Sequence, residues 1–147
     1  MKKRSVVMVS LMLFSIIVAA QVARASEPLV VNIPFEFVAG TATFPAGEYI
    51  VESMGTGPLV ILTQRTDRSV AAIVPTIPAG GGDVRWDTKL VFNRYGEHYF
   101  LSQIWTAGYR EGKQLFKSDR EKEIAKSARF ETQGQVTLVA RLFSAKP

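Results

Sequence analysis

The chain has 147 residues, 18 Lys and Arg against 13 Asp and Glu, one histidine and no cysteine. Without cysteine, disulfides, zinc–thiolate sites and thiol nucleophiles are excluded, and stability has to come from packing. Four of the basic residues (Lys2, Lys3, Arg4, Arg24) lie in the first 25 and no acid does, so the remainder carries 14 bases against 13 acids, no concentrated footprint for nucleic acid.

The N-terminus reads as a secretory signal. Lys2, Lys3 and Arg4 form a basic start, Val6 to Ala20 is apolar apart from Ser10 and Ser15, and Ala23-Arg24-Ala25 supplies small residues for cleavage before Ser26. The apolar run is 15 residues, short of the roughly 20 needed to span a bilayer. Residues 1–25 are therefore expected to be a signal peptide and 26–147 a single domain outside the cytoplasm, not held in the membrane once cleaved.

Strand signals follow in close succession. Leu29–Val38 alternates, with Val31, Ile33, Phe35 and Phe37 to one side, and Pro34 marks an edge or a bulge. Phe44-Pro45-Ala46-Gly47 fits a type I turn into a strand over Glu48–Ser53. Gly55-Thr56-Gly57-Pro58 is a turn, Leu59–Gln64 and Ser69–Val74 are strands, and Pro75–Asp83, with Gly80-Gly81-Gly82, reads as a long loop.

Lys89–Tyr95 and Glu97–Thr106 form the clearest hairpin. A Tyr95-Gly96 loop would set Phe92 opposite Tyr99, Leu90 opposite Leu101 and Asn93 opposite His98, with Val91, Phe100 and Ile104 on the second face. A sheet apolar on both sides must be covered on both. The cover is predicted downstream, as a helix from Asp119 to about Arg129 with Ser118 and Glu121 as a capping box, Ile124, Ala125 and Ala128 as its apolar stripe, and Leu115 and Phe116 as anchors. A last strand spans Gln135–Phe143. About seven strands and one short C-terminal-half helix predict a mainly β fold, an antiparallel sandwich or small barrel.

Two stretches carry a family likeness: Val31-Asn32-Ile33-Pro34-Phe35-Glu36-Phe37 leading to Phe44-Pro45-Ala46-Gly47-Glu48-Tyr49, and Leu90-Val91-Phe92-Asn93-Arg94-Tyr95-Gly96 leading to Tyr99-Phe100-Leu101-Ser102. They resemble a group of small exported proteins recurrent in acidobacteria-type soil bacteria. Those proteins also tend to begin a charged helix with Lys-Ser, here Lys117-Ser118. The likeness spans most of residues 29–129. It implies export and one compact domain and brings no activity with it.

Catalytic chemistry finds little support. His98 is the one histidine, and neither Ser102 nor Ser118 sits in a Gly-x-Ser-x-Gly elbow. Glu48 and Glu52 lie roughly 13 Å apart along a strand, beyond the separation glycoside hydrolysis uses. Gly80-Gly81-Gly82-Asp83 lacks the Lys-Ser/Thr of a phosphate loop. The helix region from Arg110 to Arg129 carries seven bases and four acids, interleaved as on a solvated face. Tyr95, Trp105 and Tyr109, near strand ends, form a candidate rim for a sugar or lipid. The sequence thus predicts no catalytic residue, metal or cofactor. It favours a binding module for an apolar small molecule or an envelope component, over a structural protein of the envelope and, last, an enzyme of unfamiliar type.

Overall fold

A computed structural model describes residues 27–143 apart from Thr56, Ser69 and residues 129–132. The predicted signal, its cleavage before Ser26 and the helix end at Arg129 lie outside the described residues. Eleven strands and one helix fall among those described: β1 Leu29–Ile33, β2 Phe37–Ala39, β3 Ala42–Phe44, β4 Gly47–Ser53, β5 Leu59–Gln64, β6 Val70–Ala79, β7 Lys89–Tyr95, β8 His98–Trp105, β9 Gly112–Leu115, α1 Asp119–Ser127, β10 Gln133–Val139 and β11 Arg141–Leu142. The fold is mainly β, as the strand patterning predicts, with more and shorter strands than the seven expected.

The strands form one sheet, ordered β10-β7-β8-β9-β6-β5-β4-β1-β11, with the β2–β3 hairpin attached to β8. All pairings are antiparallel except β2 with β8, where Val38 lies beside Phe100. The sheet bends over on itself, so Val31, Tyr49, Val51 and Leu62 from one half meet Leu90, Phe92, Leu101 and Ile104 from the other in one core. It is not closed into a barrel. Its end strands β10 and β11 are instead consecutive segments joined through Ala140, whose N–H donates to the Thr88 carbonyl at 2.9 Å. One continuous stretch of chain thus pairs with β7 at its start and with β1 at its end. Strands that switch partners in this way make the corners of folded-over sheets.

The strand expected over Leu29–Val38 breaks at Pro34, whose missing N–H ends the ladder, and the chain crosses from β4 to β8 there. Its alternation survives the crossing, with Val31, Ile33 and Phe37 buried while Asn32, Pro34 and Glu36 are exposed.

Pro75–Asp83 is not a loop throughout, because β6 runs on to Ala79. Its first part pairs with β5 and its second with β9, so each part is bonded on one side only. The Thr76 N–H donates to the Pro58 carbonyl at 2.8 Å, on the β5 side. Successive N–H groups alternate, so the Pro75 nitrogen faces away from β5 and the Pro78 nitrogen away from β9. Neither proline removes a bond the strand would make.

The hairpin register also differs from the expected one. Tyr95 pairs with His98, Asn93 with Phe100 and Phe92 with Leu101, around a Gly96-Glu97 loop. Gly96 takes φ 60°, the conformation a type II′ turn requires at its first central residue, so the glycine leads the loop. The shift moves each partner along by two residues and keeps the faces. Further down, Phe92 pairs with Leu101 but Val91 with Gln103, which leaves Ser102 as a bulge. Beyond it Ile104 lies opposite Leu90 in the core, not on the second face as predicted.

Helix α1 covers that second face. Ile124, Ala125 and Ala128 pack on Val38, Tyr95 and Phe100. At its start the Glu121 N–H donates to the Ser118 hydroxyl at 3.1 Å. The Glu121 carboxylate does not complete the capping box; it accepts from the Asn93 amide at 2.9 Å and the Tyr95 hydroxyl at 3.2 Å, tying helix to hairpin. Leu115 is buried as an anchor, whereas Phe116 is 56% exposed. Ser118→Ala is expected to lower stability by about 1 kcal/mol, read as a shift in the urea midpoint.

Candidate binding cleft

The middle of the folded sheet is filled by rings. Phe35 stacks on Tyr99 at 3.9 Å, and Phe92 meets Phe35 and Phe37 edge-on at 5.2 and 5.6 Å. Space opens instead at one end, where a cleft of about 460 Å³ lies between the ends of β1, β4, β5, β6, β8 and β9. Its floor is Leu29, Val51, Val60 and Ile104, buried side chains from both halves of the sheet. Ser53, Thr76 and Thr106 add hydroxyls to the walls, beside Pro58, Ile77 and Pro78. Around the mouth stand Glu27, Tyr109, Glu111 and Lys113.

Local features of the chain build this end. The Ser102 bulge brings Ile104 to the floor. Gly112 is buried on β9 because any Cβ there would lie 2.7 Å from the Trp105 ring and 3.0 Å from the Ile104 carbonyl oxygen. Its absence lets β9 pack against β8 and sets Lys113 opposite Ile104. The Lys113 ammonium donates to the Gly57 carbonyl at 2.9 Å, spanning from β9 to the β4–β5 turn. The Thr76 hydroxyl donates to the Pro58 carbonyl at 2.6 Å and so fixes the other side of that turn.

Of the three aromatics expected at a rim, Tyr109 lines the cleft and is 47% exposed. Tyr95 is 6% exposed beneath α1. Its pKa is raised above the usual phenol value, first by burial and then by the charge and hydrogen bond of Glu121. Trp105 is buried against Ala79 and Val91, its indole N–H donates to Gln103 at 3.0 Å, and the Arg85 guanidinium lies 4.2 Å over its ring. Tyr95 and Trp105 thus lie outside the cleft lining.

No known family, curated protein or solved structure matches this chain. The site is therefore read from its own geometry.

The other sequence candidates are scattered. His98 is exposed beside the hairpin turn, opposite Tyr95 and not Asn93. Glu48 accepts from Arg65 at 2.6 Å and Arg141 at 3.4 Å, linking β4 to the end of β5 and to β11. Gly80 lies under Trp105, and Gly81 and Gly82 are exposed. Sequence reasoning missed Ile104, Thr76 and Lys113. Thr76 had a misleading signal: within Pro75-Thr76-Ile77-Pro78 the polar threonine is buried and the apolar Ile77 exposed, the reverse of what alternation by hydropathy predicts. Ile104 had none, since a bulge carries no mark in a run such as Leu101-Ser102-Gln103.

Proposed function

We propose that the protein is an exported, non-catalytic binding module that takes an apolar or amphipathic small molecule into this cleft. The observation that carries the reading is the composition of the space, a buried aliphatic floor under a ring of hydroxyls and charges. That is the character of small-molecule sites, whose volumes run from about 300 to 1,000 Å³. Leu29, Val51, Val60 and Ile104 close the bottom of the cleft, and Pro58, Ile77, Pro78 and Tyr109 are exposed above them, apolar surface that a ligand of matching shape would cover. The signal-like residues 1–25 support a role outside the cytoplasm, where a cysteine-free, well-packed domain is under no redox constraint.

The test uses N-phenylnaphthylamine, an uncharged probe that brightens in apolar surroundings. Its fluorescence should rise on mixing with the protein, and Ser53→Trp, which places an indole in the cleft wall, should abolish the rise while leaving the circular dichroism spectrum unchanged. An equal rise with the folded variant would remove the cleft as the site.

A further inference from the structure

Resting on the cleft as the binding site, we infer that its ligand is an amphipathic cation, held by its apolar body on the floor and by an ammonium group at the mouth. The mouth carries one base and two acids: Lys113, Glu27 and Glu111. Glu111 and Lys113 are two apart, the spacing that sets side chains on one face of a strand, yet Lys113 is turned to the Gly57 carbonyl and not to Glu111. No ion pair or hydrogen bond holds the Glu27 or Glu111 carboxylate among the described residues. The carbonyl orients Lys113 and leaves its charge in place, so the three side chains together carry one net negative charge at the opening, with neither carboxylate paired among the described residues.

Tyr109 adds an exposed ring to the same lining. An exposed ring in the same lining as two carboxylates is suited to an ammonium group, which the ring quadrupole attracts and the acids neutralise. A carboxylate or phosphate head would meet the opposite field, focused by the low-dielectric walls of the cleft. The apolar walls above the floor, Pro58, Ile77 and Pro78, ask for a hydrocarbon partner, and each methylene that covers them adds to affinity without regard to the head. Body and head are therefore separable in experiment.

Isothermal titration with decylammonium, decanol and decanoate, each below its micelle-forming concentration, separates them. Decylammonium should bind about tenfold or more tighter than decanoate, a gap of about 1.4 kcal/mol, with decanol between. The Glu27→Gln, Glu111→Gln double variant changes only exposed side chains and should abolish the preference for decylammonium, leaving Lys113 as the charge at the mouth and decanoate bound at least as tightly, with decanol binding as it was. Added salt should narrow the gap in the parent, because the carboxylates face solvent. Equal binding of all three by the parent, or a preference for decylammonium that survives the double variant, would overturn the head-group inference and leave the cleft standing. Failure of every probe to bind would overturn both.

Discussion

Phe92→Ala should cost about 3–5 kcal/mol of stability, among the largest losses of any single substitution in the domain. Phe92 is 0% exposed and sits where the two halves of the sheet meet. It faces Leu101 on β8 and Val136 on β10, with Phe35 and Phe37 edge-on to its ring. Leu101 and Val136 are fixed on the strands either side of β7 and Phe37 on β2, so the neighbours cannot all move in to fill the space. The cavity term therefore adds nearly in full to the lost transfer energy. Urea denaturation should show the midpoint fall with little change in slope, and Thr137→Ala, an exposed position on β10, should stay within about 0.5 kcal/mol of the parent. A loss below about 1.5 kcal/mol at Phe92 would mean that the ring cluster repacks and that the core is not organised around it.

Glu121→Ala should cost about 2–3 kcal/mol, because the Asn93 amide and the Tyr95 hydroxyl then lose their acceptor in a buried place. Glu121 is 4% exposed and is the one buried acid among the described residues. Glu121→Gln retains an accepting oxygen and should cost less. The same change has a signature in pH. Folded Tyr95 holds its proton more tightly than the unfolded chain does, so its contribution is complete below the ordinary phenol pKa of about 10 and is lost as pH rises through the folded value. Tyr49, raised by burial and then by Asp67, acts in the same direction. Stability should therefore hold level from neutrality to about pH 10 and decline above it, and the decline should be shallower in Glu121→Ala, where two of the three causes acting on Tyr95 are gone. An alkaline limb of equal slope in variant and parent would show that Tyr95 does not respond to Glu121.

These two residues also mark how far the fold can be read in advance. Alternation predicts β4 and β5 nearly to the residue, because turns bound them and one face of each is buried. Ser118 is legible as a helix cap because capping is local chemistry. Glu121 satisfies the same local pattern and yet serves a contact 28 residues away, which no local rule can anticipate. Asn93, expected opposite His98, is the other half of that contact and also accepts from Gln135 at 3.4 Å. The hairpin faces were legible, but the register was not, since either neighbour of Gly96 could share the loop with it and only the type II′ geometry settles the choice. At the cleft, Tyr109 stood out as an aromatic at a strand end. The floor did not, because it is assembled from β1, β4, β5 and β8, elements that become neighbours only when the whole sheet has bent over.

The junction at Ala140 has a consequence for the timing of folding. Leu29 pairs with Leu142 and Val30 with Arg141, so the first described strand waits for the last described strand before one of its edges is bonded. Loops of that length make folding slow, since the entropy of bringing distant segments together is lost before their contacts form. Until β11 arrives, the Leu29-Val30 end of that edge is open and apolar, the kind of template on which nascent chains stick to one another. The domain is thus built to finish folding only once β10 and β11 are both available, and its most vulnerable interval is the one just before they dock.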